Sequence, residues 1–396
     1  SAESIHDEVA SASSSPPSGR RIESLDQFRG YTVVGMLLVN FLGGYQHVNH
    51  LLKHHNTYCS YADTIMPQFF FAVGVSLRLS MLRRREREGV GPASRHALER
   101  VLLLLLIGLA VYHLDGGFKT WRETVGADWL SIVGKAFHKS YFQTLVHIAV
   151  ATLWVLPVVW GSRRTLLLYA VFSAILHVVL SKLFYYEWLW RVRVIDGGPL
   201  GFLSWSVPVI AGMLTYDVLR DREPRRCVRW LLGWGAVLMI LGYGLSCLDA
   251  VDGQTHLAGR IAGRTPADPS AAVAGKATVW AAPPFFEPSW TPGFWSMSQR
   301  AGSVSYQIFA AGFSMAVFAL FVLWCDLGRG RSAVFHWYGV NALAAYLIHG
   351  EVASVIKPFV PNDAPALAAV AALIVYFALN TYFVRFLDRQ SIHLKL

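Results

Sequence analysis

Apolar runs of about 18 to 22 residues recur along the whole chain and alternate with short polar loops. A run of that length is long enough to cross a bilayer as an α-helix. The pattern predicts an all-α, polytopic integral membrane bundle of about ten transmembrane helices. The predicted spans are 28–45, 62–82, 98–114, 141–160, 164–183, 201–219, 228–247, 303–325, 334–354 and 365–386.

Arginine-rich segments follow the second, fourth, sixth, eighth and tenth predicted spans. With ten spans, all of these segments fall on the same face of the membrane. Positively charged loops face the cytoplasm, so both termini are predicted to be cytoplasmic. These loops also account for the net charge of +10, and no nucleic-acid partner is expected.

The composition supports a membrane protein, because only 15% of the 396 residues are charged against about a quarter in soluble domains. Residues 1–24 are rich in Ser, Ala and Pro and are predicted to be a disordered tail. The transmembrane domain is then 25–396. Four cysteines without C-x-x-C spacing indicate free, buried thiols. The segment 117–139 is predicted to be an amphipathic helix on the membrane surface.

Ionisable and amide side chains concentrate around the first predicted span. Asp26 and Arg29 lie at its cytoplasmic end, Asn40 lies near its outer end, and Asp63 begins the next span. Such groups beside lipid-facing sequence are usually functional. Arg29 suits a phosphate, and Asn40 suits a developing oxyanion. A local ion pair and an interhelical hydrogen bond are the structural alternatives.

The loop after the first span carries four histidines: His47, His50, His54 and His55. An imidazole titrates near neutrality and can take a proton from an attacking amine or hydroxyl. The first three would share one face of a helix, as metal ligands can. Acidic or cysteine partners with convincing spacing are scarce, so no metal is expected. Structural hydrogen bonding is the alternative for each histidine.

Three further polar residues lie on the side of the histidine loop in the predicted topology. Asn341 is inside the ninth span, His349 is near its outer end, and Asp196 precedes the sixth span. Each is a candidate for contact with an acceptor. For Asp196 a turn role is the structural alternative.

Several motifs resemble the transmembrane N-acetyltransferases typified by heparan-α-glucosaminide N-acetyltransferase. That family has an S-x-D-x-x-R-G opening, an Asn in the first span, a loop His and a D-x-x-x-P element. The matching residues are Ser24, Asp26, Arg29, Gly30, Asn40, His54, Asp63 and Pro67. Similar elements occur at 196–201 and 339–351, so the resemblance covers about residues 25–396. His147 stands where the family often has Arg.

The resemblance implies a membrane-embedded acetyltransferase. Acetyl-CoA would enter from the cytoplasm, and an amino sugar or other saccharide would be acetylated on the lumenal or periplasmic side. The catalytic residues would be His54, with His55 as the second choice, and Asn40. We expect Arg29 and Asp26 to bind the donor. The acceptor-contacting residues would be His349, Asp196, Asn341 and Asp63.

Direct transfer in a ternary complex and a two-step route through acetyl-histidine both fit these residues. The excess of Arg over Lys suggests a bacterial source. We therefore expect the protein in a bacterial cytoplasmic membrane, or in the lysosomal membrane if its source is eukaryotic. The expected partners are a small-molecule or glycan substrate and membrane lipid. A homodimer is compatible with the sequence, although no residue pattern argues for one.

The alternative function is a transporter or flippase for a sugar or lipid-linked substrate. It would use Asp26, Arg29 and the histidines as a proton relay. Transporters usually show internal repeats with interrupted spans in matching positions, and the sequence has no such repeat.

Overall fold

A computed structural model describes residues 22–55, 58–112, 120–136, 141–192, 194–249, 280–287 and 293–392. Within these ranges the protein is a helical bundle without strands, which confirms the all-α prediction. In the described part of the chain, ten helices have twelve or more residues: α1 (Glu23–Leu42), α2 (Tyr61–Glu88), α3 (Val90–Tyr112), α6 (Thr144–Val155), α7 (Arg163–Leu180), α9 (Phe202–Asp221), α10 (Pro224–Ser246), α11 (Val304–Phe321), α13 (Ala342–Ile356) and α14 (Ala366–Arg389). The shorter helices are α4 (Trp121–Val125), α5 (Trp129–Ala136), α8 (Tyr186–Val192) and α12 (Ala333–Val340).

Six helical segments of the described chain are long and apolar enough to cross a membrane. They are Tyr61–Glu88, Arg163–Val192, Gly198–Asp221, Pro224–Ser246, Val304–Leu327 and Ala366–Arg389. The protein is therefore an integral membrane protein. All ten predicted spans overlap a helix, but the count of ten and the cytoplasmic termini stay predictions. Helices α1 and α3 are not among these six.

Three predicted segments differ from the observed helices. The ninth span is two helices, because α12 and the helical segment that starts with α13 meet at 95° on either side of Asn341. Asn341 has φ −118° and ψ 34°, which interrupts the helix in an apolar stretch that looks continuous in sequence. Within 117–139, the described residues form two short helices, α4 and α5, instead of one. The first helix begins at Glu23, five residues before its predicted start.

Helices α1 and α12 are packed backbone against backbone. A Cβ atom added to Gly30 would lie 1.8 Å from the carbonyl oxygen of Phe335. One added to Gly339 would lie 2.0 Å from the carbonyl oxygen of Asp26. Small residues permit this close approach between membrane helices, and here they fix α1 against α12.

A buried ion pair joins α2 to α9. Arg78 Nε and Nη2 each donate to the Asp217 carboxylate at 3.0 Å. The same guanidinium donates to the carbonyl oxygens of Val159 and Gly161, at the end of the α6 segment. Both charged side chains are almost fully buried. Three segments of the bundle therefore meet at one guanidinium.

The four cysteines are free thiols, as predicted. Cys59, Cys227 and Cys325 are buried, and Cys247 is half-buried.

Candidate active site

A cavity of about 1330 Å³ extends through the bundle between α1, α2, α3, α6 and α13. One face of α2 lines it over most of the helix, with residues at the three- and four-residue spacing of a helical stripe: Met66, Phe69, Val73, Leu77, Ser80 and Arg84. From Asp63 to Arg84 this stripe is about 30 Å long, since a helix rises about 1.5 Å per residue. The cavity thus reaches along a length comparable to the apolar thickness of a bilayer.

The two ends of the cavity are polar and its middle is apolar. Arginines from three helices line one end: Arg29, Arg83, Arg84, Arg87 and Arg100. The middle is lined by apolar side chains such as Met36, Phe69 and Leu104. The other end contains His54 and His55 of the histidine loop, together with Asn40, Asp63 and Asp196. The cavity therefore separates a cationic end from an end with acid–base groups.

His54 and Asp63 form a pair at the second end. His54 Nδ1 lies 3.0 Å from Asp63 Oδ1, so an N–H at Nδ1 donates to the carboxylate. The Asp63 side chain is fully buried, whereas the His54 side chain is 42% exposed, toward the cavity that it lines. A carboxylate in this position fixes the tautomer and ring orientation of a histidine and leaves Nε2 for chemistry.

The start of α2 holds the Asp63 carboxylate in place. Ser60 Oγ accepts from the Asp63 amide at 3.3 Å, and Asp63 Oδ2 accepts from the Ser60 amide at 2.9 Å, which is a capping box. Tyr306, from α11, donates its hydroxyl to the Asp63 carbonyl at 2.6 Å. The partner of His54 is therefore positioned by a helix terminus and by a second helix.

Asn40 lies on the opposite side of the imidazole. Its Oδ1 atom is 3.4 Å from His54 Nε2. An amide carries both an acceptor oxygen and a donor NH₂ group. Because Oδ1 can only accept, this contact is that of a protonated His54, whose Nε2–H donates to Asn40. In the neutral ring, with its proton on Nδ1, Nε2 is an acceptor, and the Asn40 NH₂ group is the donor that can contact an oxygen of a reacting carbonyl. The structure thus brings together Asn40, His54 and Asp63.

The pKa of His54 is raised above its ordinary value. Burial lowers it, but the hydrogen bond and negative charge of Asp63, together with the charge of Asp196, outweigh that effect. An upward shift means that His54 loses its function as a base as the pH falls through a value above about 6.5. The His54–Asp63 pair contributes its full stabilisation of the fold below about pH 6.5. That contribution is lost as the pH rises through the raised pKa of His54.

Replacing Asp63 by Asn is expected to lower the pKa of His54. The variant removes the negative charge that raises the pKa, while the amide oxygen can still accept from the Ser60 amide. The acidic limb of the kcat/KM profile should therefore move to lower pH, in addition to a loss of rate from the weakened tautomer preference. The measurement is kcat/KM against pH.

Asp363→Asn is the control for this experiment, because Asp363 lies in an exposed loop. The acidic limb of the kcat/KM profile of Asp363→Asn should match that of the wild type. An unchanged acidic limb in Asp63→Asn would show that the carboxylate does not set the protonation of His54.

His55 also lines the cavity, but its ring is held by other groups. Its Nε2 donates to the His50 carbonyl at 2.9 Å. The ring stacks on Tyr58, with centroids 4.3 Å apart. The backbone amide of His55 points at Asp63 Oδ2, at 3.3 Å. Its imidazole thus has neither the carboxylate nor the amide that flank His54.

Asp196 lies in the loop before α9 and lines the same end of the cavity. Gln299 Nε2 donates to Asp196 Oδ1 at 2.9 Å, and Trp205 Nε1 donates to the Asp196 carbonyl at 2.7 Å. Asp196 has a φ of +52°, in the left-handed region, as a turn residue can. Burial raises the pKa of its carboxyl to about 6, although Gln299 and His54 oppose the shift.

The two remaining candidates for contact with the acceptor, His349 and Asn341, differ in their position relative to the cavity. His349 lines the cavity, and its Nδ1 donates to the Tyr346 carbonyl. The Tyr346 hydroxyl in turn lies 2.8 Å from that of Tyr112. Asn341 is fully buried at the break between α12 and α13 and does not line the cavity. The structure therefore brings His349, but not Asn341, to the candidate site.

Asp26 and Arg29, the predicted donor-binding residues, line the cationic end of the cavity. Their side chains are 3.6 Å apart, and Arg29 also donates to the Gly339 carbonyl. The ion pair and the link to α12 hold the guanidinium at the cavity wall. Arg100, on the facing side of α3, was not singled out from the sequence.

Several residues of the site were missed in the sequence. The Ser60–Asp63 capping box could have been found from its S-x-x-D spacing. Gln299 and Arg100 carry no local signal, because tertiary packing alone brings them to the cavity. The contact of Tyr306 with the Asp63 carbonyl spans 243 positions and likewise depends on the fold. Among the described residues, no group of three or more His, Cys, Asp or Glu side chains is arranged to hold a metal ion.

Residues 21–244, more than half of the chain, match the family model described as heparan-alpha-glucosaminide N-acetyltransferase, catalytic. The matched region contains Asn40, His54, Asp63 and Asp196. No curated protein matches the chain.

Proposed function

Because the chain belongs to the heparan-α-glucosaminide N-acetyltransferase catalytic family, and is a transmembrane acyltransferase, we propose that acetyl-CoA is its donor and an amino sugar or other saccharide its acceptor. One observation carries the proposal. A single cavity connects a cationic end to the Asn40–His54–Asp63 group. This is the arrangement that a phosphorylated donor with a distant reactive thioester requires.

The cationic end fits the phosphates of the donor. Arg29, Arg84 and Arg100 come from three different helices and line the same end of the cavity. Guanidinium groups bind phosphate oxygens in a fixed fork geometry. The acidic side chains near them are fewer, with Asp26 beside Arg29 and Glu88 beside Arg84. This end would hold the anionic part of acetyl-CoA, with Asp26 orienting Arg29.

The acid–base end fits acyl transfer. Acetyl-CoA supplies an activated acetyl group as a thioester. His54 Nε2 takes the proton of the attacking amine or hydroxyl. The Asn40 amide faces the oxygen that becomes negatively charged. Asp63 orients His54 and stabilises its protonated form. In this scheme Asp63 is a positioning residue, and its buried carboxylate does not contact the acceptor.

We assign the base to His54 rather than His55. Only His54 has a carboxylate at Nδ1 and an amide near Nε2. The Nε2 atom of His55 is occupied by the His50 carbonyl. Direct transfer and a route through acetyl-histidine both use Nε2 of His54, so the assignment holds for either route. His349 and Asp196 would line the acceptor part of the site.

The basic loops and the cationic end support a cytoplasmic entrance for the donor. The acceptor would then bind on the lumenal or periplasmic side, in a bacterial cytoplasmic membrane or a lysosomal membrane. A homodimer stays an expectation from the sequence.

A transporter would use the broken span at Asn341, since interrupted helices line many transport sites. Asn341 lies outside the cavity wall, however. Within the described residues, only one helix pair with such a bend occurs, whereas transporter repeats contain them in matching pairs. The acyltransferase interpretation therefore accounts for more of the site.

Donor binding to the purified protein tests the proposed function. Acetyl-CoA and CoA should raise the thermal stability of the wild type in detergent. Arg100→Ala should weaken donor binding about 10- to 100-fold, as expected for the loss of a hydrogen bond to a charged group. The measurement is the ligand-dependent shift of the unfolding temperature across a donor titration.

Arg95→Ala is the matched control, because Arg95 lies on the same helix and is 83% exposed. It should bind the donor as the wild type does. If neither acetyl-CoA nor CoA stabilises the wild type at millimolar concentration, the proposed function is wrong.

A further inference from the structure

The acid–base end of the cavity, where the acceptor would bind, contains one more basic group than the attack of a neutral nucleophile requires. His54 alone can take the single proton that a hydroxyl or a neutral amine loses on attack. An amine of ordinary basicity arrives as an ammonium ion, because such groups titrate at about 7.7 to 10.4. It must lose a first proton to become nucleophilic and a second when it attacks.

Asp196 is placed to take part in this chemistry. It lines the same end of the cavity as His54, and the two groups interact electrostatically. Gln299 donates to Asp196 Oδ1 at 2.9 Å. The Asp196 side chain is nearly buried, and Trp205 holds its backbone carbonyl. The carboxylate is therefore held in place at the same end of the cavity as the base.

We propose that Asp196 is a second proton acceptor, which binds the ammonium group of the acceptor and removes its first proton before His54 removes the second. The inference rests on the proposed function and adds that two bases, Asp196 and His54, each remove one proton from the acceptor. It also explains why a carboxylate, which attracts a cation, lies at the acceptor end.

The surroundings of Asp196 suit this role. Besides Gln299 and His54, the groups near it are the Asp63 carboxylate and the hydroxyls of Tyr112, Tyr306 and Tyr346. Burial raises the pKa of Asp196 to about 6. The carboxyl is then still ionised at neutral pH, yet it is a stronger base than an ordinary aspartate.

The steps balance in atoms and charge. The ammonium nitrogen transfers a proton to Asp196, which becomes a neutral carboxylic acid. The neutral amine forms a C–N bond to the acetyl carbon, His54 takes the second nitrogen-bound proton, and the C–S bond breaks. His54 returns its proton to the thiolate to form CoA thiol. Asp196 releases its proton to solvent, so each turnover yields one free proton.

Asp196→Asn tests the proposal, because Asn accepts the left-handed backbone conformation as readily as Asp. Two acceptors are compared at neutral pH: glucosamine, which is largely an ammonium ion, and O-methylhydroxylamine, which is neutral. The kcat/KM for glucosamine at pH 7 should fall about 5- to 10-fold, because an amine that titrates near 8 is already about a tenth neutral in solution and that fraction still reacts. The value for O-methylhydroxylamine should change little, and the glucosamine value should recover as the pH rises above about 8.

Equal losses for both acceptors would mean that Asp196 has a structural role and would overturn the proposal. An unchanged glucosamine rate would overturn it as well. Acetylation of hydroxyl acceptors but of no amine by the wild type would overturn it and leave the acyltransferase function standing. If the wild type neither binds acetyl-CoA nor acetylates any acceptor, the proposed function fails and this inference fails with it.

Discussion

His54→Ala is expected to reduce kcat about 10²- to 10⁴-fold, the range for removal of a general base, while donor binding is retained. The imidazole lies at the acid–base end of the cavity, far along α2 from the arginines at the other end. The substitution also leaves the Asp63 carboxylate with its Ser60 contacts. A steady-state assay with acetyl-CoA, combined with the thermal-shift titration, separates the two effects.

His55→Ala is the matched control for His54→Ala. The two residues are adjacent, and both line the cavity. The His55 ring is bound to the His50 carbonyl and stacked on Tyr58, so its loss should change kcat only a few-fold. If kcat falls strongly in His55→Ala but is retained in His54→Ala, the base is His55 and not His54.

Asp217→Ala is expected to destabilise the fold by about 3–5 kcal/mol, the range for removing one partner of a buried ion pair. The variant leaves the Arg78 guanidinium buried without its carboxylate, and the remaining partners are backbone carbonyls. The measurement is the free energy of unfolding from a denaturant titration in detergent micelles, because activity loss alone would not distinguish folding from catalysis.

Asp221→Ala is the control for Asp217→Ala. Asp221 lies on the same helix and pairs with Arg163 and Arg220, but all three side chains are more than 40% exposed. Exposed ion pairs contribute about 0–1 kcal/mol. The double variant Arg78→Met/Asp217→Leu should recover most of the lost stability, since it leaves no unpaired charge. Equal effects of Asp217→Ala and Asp221→Ala would contradict this account of the buried pair.

The helices could be predicted from sequence because hydropathy is a local property. Every apolar run chosen as a span overlaps a helix, with α9 and α14 close to their predicted limits. The break at Asn341 could not be predicted in this way. Its neighbours are apolar on both sides, and its side-chain amide is buried without a hydrogen-bond partner in the described part of the chain.

The candidate site was predictable only where its residues lie close together in sequence. Asn40, His54 and Asp63 fall within 24 positions, and the loop between α1 and α2 brings them into one group. The choice of His54 over His55 depends on which ring meets Asp63, which adjacent positions cannot reveal. Gln299 reaches Asp196 across 103 positions, so only the folded chain identifies it.

The glycine contacts between α1 and α12 have a mechanical consequence. Because Gly30 and Gly339 place two backbones in direct contact, α1 and α12 must move as one rigid body. A movement of α13 about the break at Asn341 would leave this backbone contact in place. Such a movement displaces Tyr346 and His349 while Asn40 keeps its register with the histidine loop. Adaptation to acceptors of different size would therefore be confined to the cavity wall formed by α13. The arrangement of Asn40 and His54 would stay unchanged.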